Sequence, residues 1–216
     1  MTARTHRQRA ASGTDDRHSL YPFLYAHRLA ASFYRRDCAE VARDLLGAVL
    51  VRREGSHLTA GVIVENEAYY GDGDPASHAH RGRTQRNAPM FGPPGHAYVY
   101  FIYGNHYMLN AVCGEAGEPA AVLIRALEPL AGFERMRRRR RVRRERDLTN
   151  GPGRLTRALG LGPRHNGAPL VEGDLFVAAP CARRGAIARG PRVGVSGRSD
   201  AKLRFYLKGN PYVSRA

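Results

Sequence analysis

The sequence predicts an α+β fold: a single domain with a curved, mostly antiparallel sheet, short helices and a protruding β-hairpin. Three observations predict it. Short runs with apolar–polar alternation outnumber runs with a helical period. Turn residues separate those runs at short intervals. One aromatic-rich pair of runs flanks Gly104-Asn105, the signature of a tight two-residue hairpin turn. A chain of 216 residues suits one domain with a tail, and is long enough to bury a single core.

Residues 1–27 are basic and polar with no apolar stretch behind them, so they read as a disordered arm and not a secretory signal. Residues 28–216 form the domain. Asp37 and Glu40 have the spacing of a capping box and open a short helix through Leu46, with Val41 and Leu45 as its apolar stripe and Gly47 as its stop. Residues 48–51 are a strand, Glu54-Gly55-Ser56 a turn, and residues 58–67 a second strand. Residues 70–95 are rich in Gly, Pro, His and Arg and show no period; a loop this long within a domain is functional or disordered. Three strands follow at residues 98–102, 107–112 and 120–126, the last two separated by a turn at residues 114–119. Residues 135–146 are dense in arginine and suit a solvated helix or a basic loop. Asn150-Gly-Pro-Gly precedes a helix at residues 154–159, and residues 193–195 and 203–207 are the closing strands.

The net charge of +16 and pI near 10.7 call for a polyanionic partner. Nucleic acid fits better than a membrane, because no long basic amphipathic helix is present and no apolar run is long enough to cross a bilayer. The three cysteines, Cys38, Cys113 and Cys181, are far apart and in no CxxC spacing, so neither a zinc site nor a disulfide framework is signalled and a reducing compartment fits.

Period two puts Glu65, Glu67 and Tyr69 on one strand face, next to the long polar loop. A carboxylate beside an aromatic suits a general base at a stacking platform; ordinary solvated glutamates at a strand end are the simpler alternative. In the hairpin, Tyr98 and Tyr100 share one face while Val99, Phe101 and Tyr103 share the other, so one face is core and the other is open to a ligand. Tyr103, paired with His106 at the tip, could wedge between bases. Arg125 lies within the apolar run Ala-Val-Leu-Ile-Arg-Ala and, if buried, needs a partner such as Glu67 or a phosphate. His78 and His80, near Asp72 and Asp74, lack the spacing of known zinc or calcium loops, and no metal is expected. Gly151-Pro152-Gly153 offers an anion few N–H groups, which favours ordinary capping.

The blocks ARDLLGAVLVRR, VENEAYYG, DPASHAHRG, QRNAPMFGPPGHAYVYFIYG, VLIRALEPLAG, TNGPGRLTRALG, RVGVSG and LRFYLKGNPYVS, in that order, resemble the mammalian-type 3-methyladenine (alkyladenine) DNA glycosylase family from about Asp37 to Ser214. The resemblance implies base-excision repair by a monofunctional glycosylase. Its partner is duplex DNA carrying an alkylated or deaminated purine, such as 3-methyladenine, 7-methylguanine, hypoxanthine or ethenoadenine. The enzyme flips that nucleotide and hydrolyses its N-glycosidic bond, leaving an abasic site. Glu67 is then the base that activates water, and Arg125 helps to hold that water and the flipped nucleotide's phosphate. Tyr69 and Tyr100 are stacking walls with His78 across the pocket, and Asn110 crowds out normal guanine. Tyr103 is the intercalating wedge and Leu123 a second apolar contact near it. No cofactor, metal or membrane is implied, and a monomer is expected, in the nucleoid-bearing cytoplasm of a bacterium sooner than in a nucleus. Asn105 and His106 are more polar than the family's usual residues there, and the loop from His78 to Met90 is slightly shorter. Two other readings use the same residues: a non-enzymatic basic RNA- or DNA-binding protein, and a metal-dependent nuclease built on Glu65, Glu67, Asp72 and Asp74.

Overall fold

The structure, a computed structural model, describes residues 17–182, 185–195 and 201–214. Helices α1 (Arg17–Ala26), α2 (Ala31–Tyr34) and α3 (Cys38–Asp44) precede strands β1 (Val49–Glu54), β2 (His57–Tyr69), β3 (Ala97–Ile102), β4 (His106–Val112) and β5 (Ala121–Ala131). Helices α4 (Phe133–Arg140) and α5 (Pro152–Leu159) follow, then β6 (Leu175–Ala178), β7 (Ile187–Gly190) and β8 (Arg204–Leu207).

The 13-residue β2 is the axis of the sheet. Along one edge it pairs with β5; along the other, residues 57–62 pair with β1 and residues 65–67 with β8. The β2–β5 register shifts at Ala60/Gly61 and twice between Ile63 and Asn66. Such bulges bend and twist a strand, which lets one strand serve two partners on the same edge. The sheet runs β3-β4-β5-β2-β1-β6, with β8 joined to β2 and β7 to β8, and each of these ladders is antiparallel. The expected α+β class with a curled antiparallel sheet is the class observed.

Helices α3, α4 and α5 bury their apolar residues against one sheet face, with Ile63, Leu109, Ile124 and Leu127 beneath them. Asp37 caps α3: its Oδ1 accepts the backbone N–H of Ala39 and Glu40 at 2.9 and 3.1 Å, a contact worth about 1 kcal/mol. In the first turn of α5, a Cβ on Gly153 would lie 2.7 Å from the His106 ring, so glycine is what allows α5 to sit against the foot of the hairpin. On the opposite face, residues 70–96 fold back so that Ala79 and Met90 pack with Tyr98, Val112 and Ala121.

Three expectations need correction, and strand β6 was missed. Residues 17–26, assigned to the arm, form α1, whose Leu24 packs on Val49, Val51 and Phe176; residues 1–16 lie outside the described residues. The hairpin turns through three residues, with Ile102 opposite His106 and both Tyr103 and Gly104 at positive φ (54° and 69°), so Tyr103 is in the loop and unpaired. Residues 193–195 are no strand: Gly194 turns at φ 73°, and the partner of β8 is β7. Strand β6 went unseen because all four of its residues are buried, which erases the alternation that marks a one-sided strand.

Candidate active site

The strand end formed by Glu65, Glu67 and Tyr69 is where the sheet brings its charges together. Both glutamates are fully buried. Glu67 Oε2 accepts from the Tyr69 hydroxyl at 2.9 Å and from Arg125 Nη1 at 3.1 Å, and its Oε1 accepts the Val193 backbone N–H at 2.6 Å. Glu65 Oε1 accepts from Arg125 Nε (3.0 Å), Arg204 Nε (2.7 Å) and the Ser214 hydroxyl (2.9 Å), while Oε2 takes the Ser214 N–H at 2.7 Å. Two carboxylates therefore meet two guanidiniums, which is how charge survives burial. Burial works against the charged form of Arg125, but Glu67 and Glu65 outweigh it and its pKa is raised. Burial, then the charge and hydrogen bond of Glu67, push the Tyr69 phenol well up, so it stays a donor.

This cluster borders a cavity of about 320 Å³ lined by Tyr69, His78, Tyr100, Tyr103, Asn110 and Arg125 among others. The volume is near the lower end for ligand pockets, about 300–1,000 Å³. Tyr98 and Tyr100 lie 5.2 Å apart between ring centres, and His78 packs edge-on to Tyr100 at 4.4 Å. His78 Nδ1 is 2.9 Å from the Tyr98 hydroxyl. Desolvation and then the Arg86 charge hold the His78 pKa below the usual imidazole value, which favours the neutral ring. Asn110, opposite Tyr98, donates from Nδ2 to the Tyr98 carbonyl at 3.0 Å. A second, basic cleft of about 450 Å³ shares Arg125 and Pro152 with the first and adds Arg144, Arg146 and Arg154.

The fold brings Tyr69, His78, Tyr100, Tyr103, Asn110, Leu123 and Arg125 to the lining of one cavity, and Glu67 lies behind it, bonded to Tyr69, Arg125 and Val193. Leu123 is only 5% exposed and sits in register between Glu67 and Asn110. A side chain so covered is a wall of the pocket, whereas Tyr103 is 78% exposed at the hairpin tip. Arg125 is held by Glu65, Glu67 and Ser214, so its first role is to clamp the carboxylates. The carboxylates of the nuclease reading do not converge: Glu65 and Glu67 are engaged by arginines, Asp74 by Arg192, and Asp72 caps Gly73. Among the described residues no group of three or more His, Cys, Asp or Glu is placed to hold a metal.

Arg192, Arg204, Ser214 and the Val193 N–H were not singled out. Arg204 was detectable, since it stands in the apolar run Leu-Arg-Phe-Tyr-Leu as Arg125 stands in its own. Val193 was not, because a backbone donor leaves no trace in side-chain type.

A buried, arginine-clamped carboxylate beside an aromatic cavity of base size, in a strongly basic protein, is the site of a DNA glycosylase, and known proteins agree. The family described as Methylpurine-DNA glycosylase (MPG) matches residues 32–211. A relative from Methanoculleus marisnigri is 51% identical over 191 residues, 87% of this chain and 98% of its own. Relatives from Chlorobaculum tepidum and Burkholderia cenocepacia are each 49% identical, over 87% and 86% of this chain and 91% and 90% of theirs. All three carry the name "Putative 3-methyladenine DNA glycosylase". The chain belongs to the methylpurine-DNA glycosylase family.

Proposed function

We propose that this glycosylase, like the mammalian-type members it resembles, acts as a monomer on duplex DNA. Its substrates are 3-methyladenine, 7-methylguanine, hypoxanthine and ethenoadenine, and it hydrolyses their N-glycosidic bonds with a water activated by Glu67. The observation that carries the reading is the carboxylate of Glu67 itself: fully buried, charge-compensated and bonded to Tyr69, Arg125 and Val193, which line the aromatic cavity. Three donors occupy it, and an ionised carboxylate has about four lone-pair sites, so its acceptor capacity is not filled. As the glycosidic bond breaks, the sugar gains oxocarbenium character; Glu67 stabilises that charge and takes the proton of the attacking water.

A base in a duplex must be rotated out, at a cost of a few kcal/mol that is smaller for a damaged pair. Tyr103 offsets part of it by filling the gap. Stacking on Tyr69 and Tyr100 contributes roughly 1–3 kcal/mol per contact, and an electron-rich ring suits a cationic alkylated purine. A neutral His78 adds no positive charge against such a base. Asn110 and Leu123 narrow the floor, so that a guanine amino group is excluded by shape. The basic cleft beside Arg125 suits backbone phosphates flanking the flipped nucleotide. The nucleoid-bearing cytoplasm of a bacterium is the setting we propose.

The lysines Lys202 and Lys208 are the only two in the chain, and neither borders the cavity. A Schiff-base route, which uses an amine nucleophile, therefore has no amine from them at hand. Incubation with defined lesion duplexes should release free base and leave an intact abasic strand that breaks only with alkali or heat. Borohydride should trap no protein–DNA adduct. A borohydride-dependent adduct lost on changing Lys202 or Lys208 would contradict the water route.

A further inference from the structure

Asp74 and Arg192 stand behind the cavity and have no part in the chemistry above. Their ion pair is almost wholly enclosed, with the side chains 8% and 1% exposed. Arg192 Nη1 and Nη2 reach Asp74 Oδ2 and Oδ1 at 2.6 and 2.7 Å, a bidentate fork. Nη1 also donates to the Ala68 carbonyl at 3.1 Å, and the guanidinium carbon lies 4.4 Å from the centre of the Tyr69 ring. Asp74 in turn accepts the backbone N–H of Tyr70 at 3.1 Å and of Ala76 at 3.2 Å. One pair thus ties the end of β2, the start of the 70–96 loop and the 191–195 segment to each other.

These contacts fall on the groups that touch Glu67. Apart from Arg125, the donors to Glu67 are the Tyr69 hydroxyl and the Val193 N–H. The first belongs to the ring under Arg192, and the second to the residue next to Arg192 in the chain. Ala68, whose carbonyl Arg192 holds, lies between Glu67 and Tyr69. We propose that Asp74 and Arg192 are positioning residues of the hydrolytic site: they fix the plane of the Tyr69 ring and the backbone of Val193, and through both they aim the Glu67 carboxylate at the attacking water. Replacing a buried ion pair with apolar residues is often neutral for stability. A pair whose contacts converge on the general base therefore acts chiefly on geometry. The inference rests on Glu67 being that base.

The test uses the full chain and the variants Asp74→Asn, Arg192→Lys, Tyr69→Phe and Glu67→Gln. Lysine keeps the charge of Arg192 but loses the fork and the flat stack. Each variant is checked for folding by thermal melt, for affinity to a lesion duplex, and for single-turnover base release well below its melting temperature. Asp74→Asn and Arg192→Lys should lose no more than a few-fold in affinity, through the Tyr69 stack, and far more in base release. Their base release should fall by about ten- to a hundredfold, the scale of an ångström-sized misplacement of a reacting group. In the Tyr69→Phe background, where part of the relay is already gone, the same changes should cost much less than they do alone, whereas independent sites would add to within about twofold. Release near the parent rate, equal losses in both backgrounds, or binding and release falling by the same factor would each overturn the proposal. Failure of both pair variants to fold would overturn it too, by making the pair a determinant of the fold. Glu67→Gln separates the two levels. If it stays active, the Glu67 reading fails; if it is inactive while the pair variants are normal, only the positioning role fails.

Discussion

Glu65 and Glu67 differ by two positions in β2 and have the same burial, yet their surroundings divide their work. Glu65 is held by Arg125, Arg204 and both donors of Ser214 and lies away from the cavity lining, so it anchors the C-terminal segment to the sheet. Glu67 takes fewer donors and, although it too lies off the cavity lining, its three donor residues, Tyr69, Arg125 and Val193, all line the cavity. Removing one member of a buried pair leaves a bare charge, which costs about 3–5 kcal/mol; alanine at Arg125 would therefore disturb fold and chemistry together. His78 gives a cleaner test of the site's electrostatics. Desolvation, then Arg86, depress its pKa, so the folded protein binds its proton less readily than the unfolded chain. Its contribution is silent above the unfolded histidine pKa and turns destabilising as pH falls through that value towards the lower folded one. An NMR titration of the His78 ring should give a pKa below about 6.5, the ordinary value. A value above it would contradict a desolvated ring beside Arg86.

Among elements, the hairpin carries the most. Its faces divide as the alternation implied for Tyr98 to Tyr100, with Val99 in the helix-side core and Tyr98 and Tyr100 on the cavity side, but Phe101 is exposed and Tyr103, expected on the face of Val99, lines the cavity. The turn geometry was not legible, because Gly104-Asn105 is compatible with both a two- and a three-residue loop. The observed loop puts Tyr103 at φ 54°, a left-handed conformation that costs a residue with a side chain roughly 1–2 kcal/mol. A strained, exposed aromatic at a tip is the kind of outlier that points to function. Tyr103→Ser should slow excision from fully paired duplex, with a smaller loss when the lesion is already unpaired. Equal losses on both substrates would make Tyr103 a structural residue of the turn. The segments hardest to read were those whose pattern the fold conceals: β6, buried on both faces, and the 191–195 segment, where Val193 and Val195 imitate a strand around a turning glycine. Arg192 resembles a solvated cation in the sequence; only tertiary structure shows that it meets Asp74.

At the scale of the whole molecule, the sheet class and the positive charge were legible, since alternation and composition are local or additive signals, whereas the strand-end carboxylates alone fitted solvated residues as well and the pocket came from the family resemblance. The convergence of three separated segments, around residues 67, 125 and 193, on one carboxylate was not legible, because it depends on β2 sharing an edge between β1 and β8. The charge of +16 and the basic cleft adjoining the cavity imply that affinity for DNA depends on counterion release. Log affinity should fall linearly with log salt, with a slope of roughly −0.9 per phosphate engaged. Affinity unchanged between dilute and physiological salt would contradict that footprint.

The most direct measurement is single-turnover release of free base from a defined 3-methyladenine or hypoxanthine duplex by the Glu67→Gln variant, alongside its affinity for the same duplex. The amide keeps the size of Glu67 and loses its charge and basicity. Affinity close to that of the parent with release reduced to near background is the predicted result; release at close to the parent rate would contradict the assignment of Glu67 as the group that activates water.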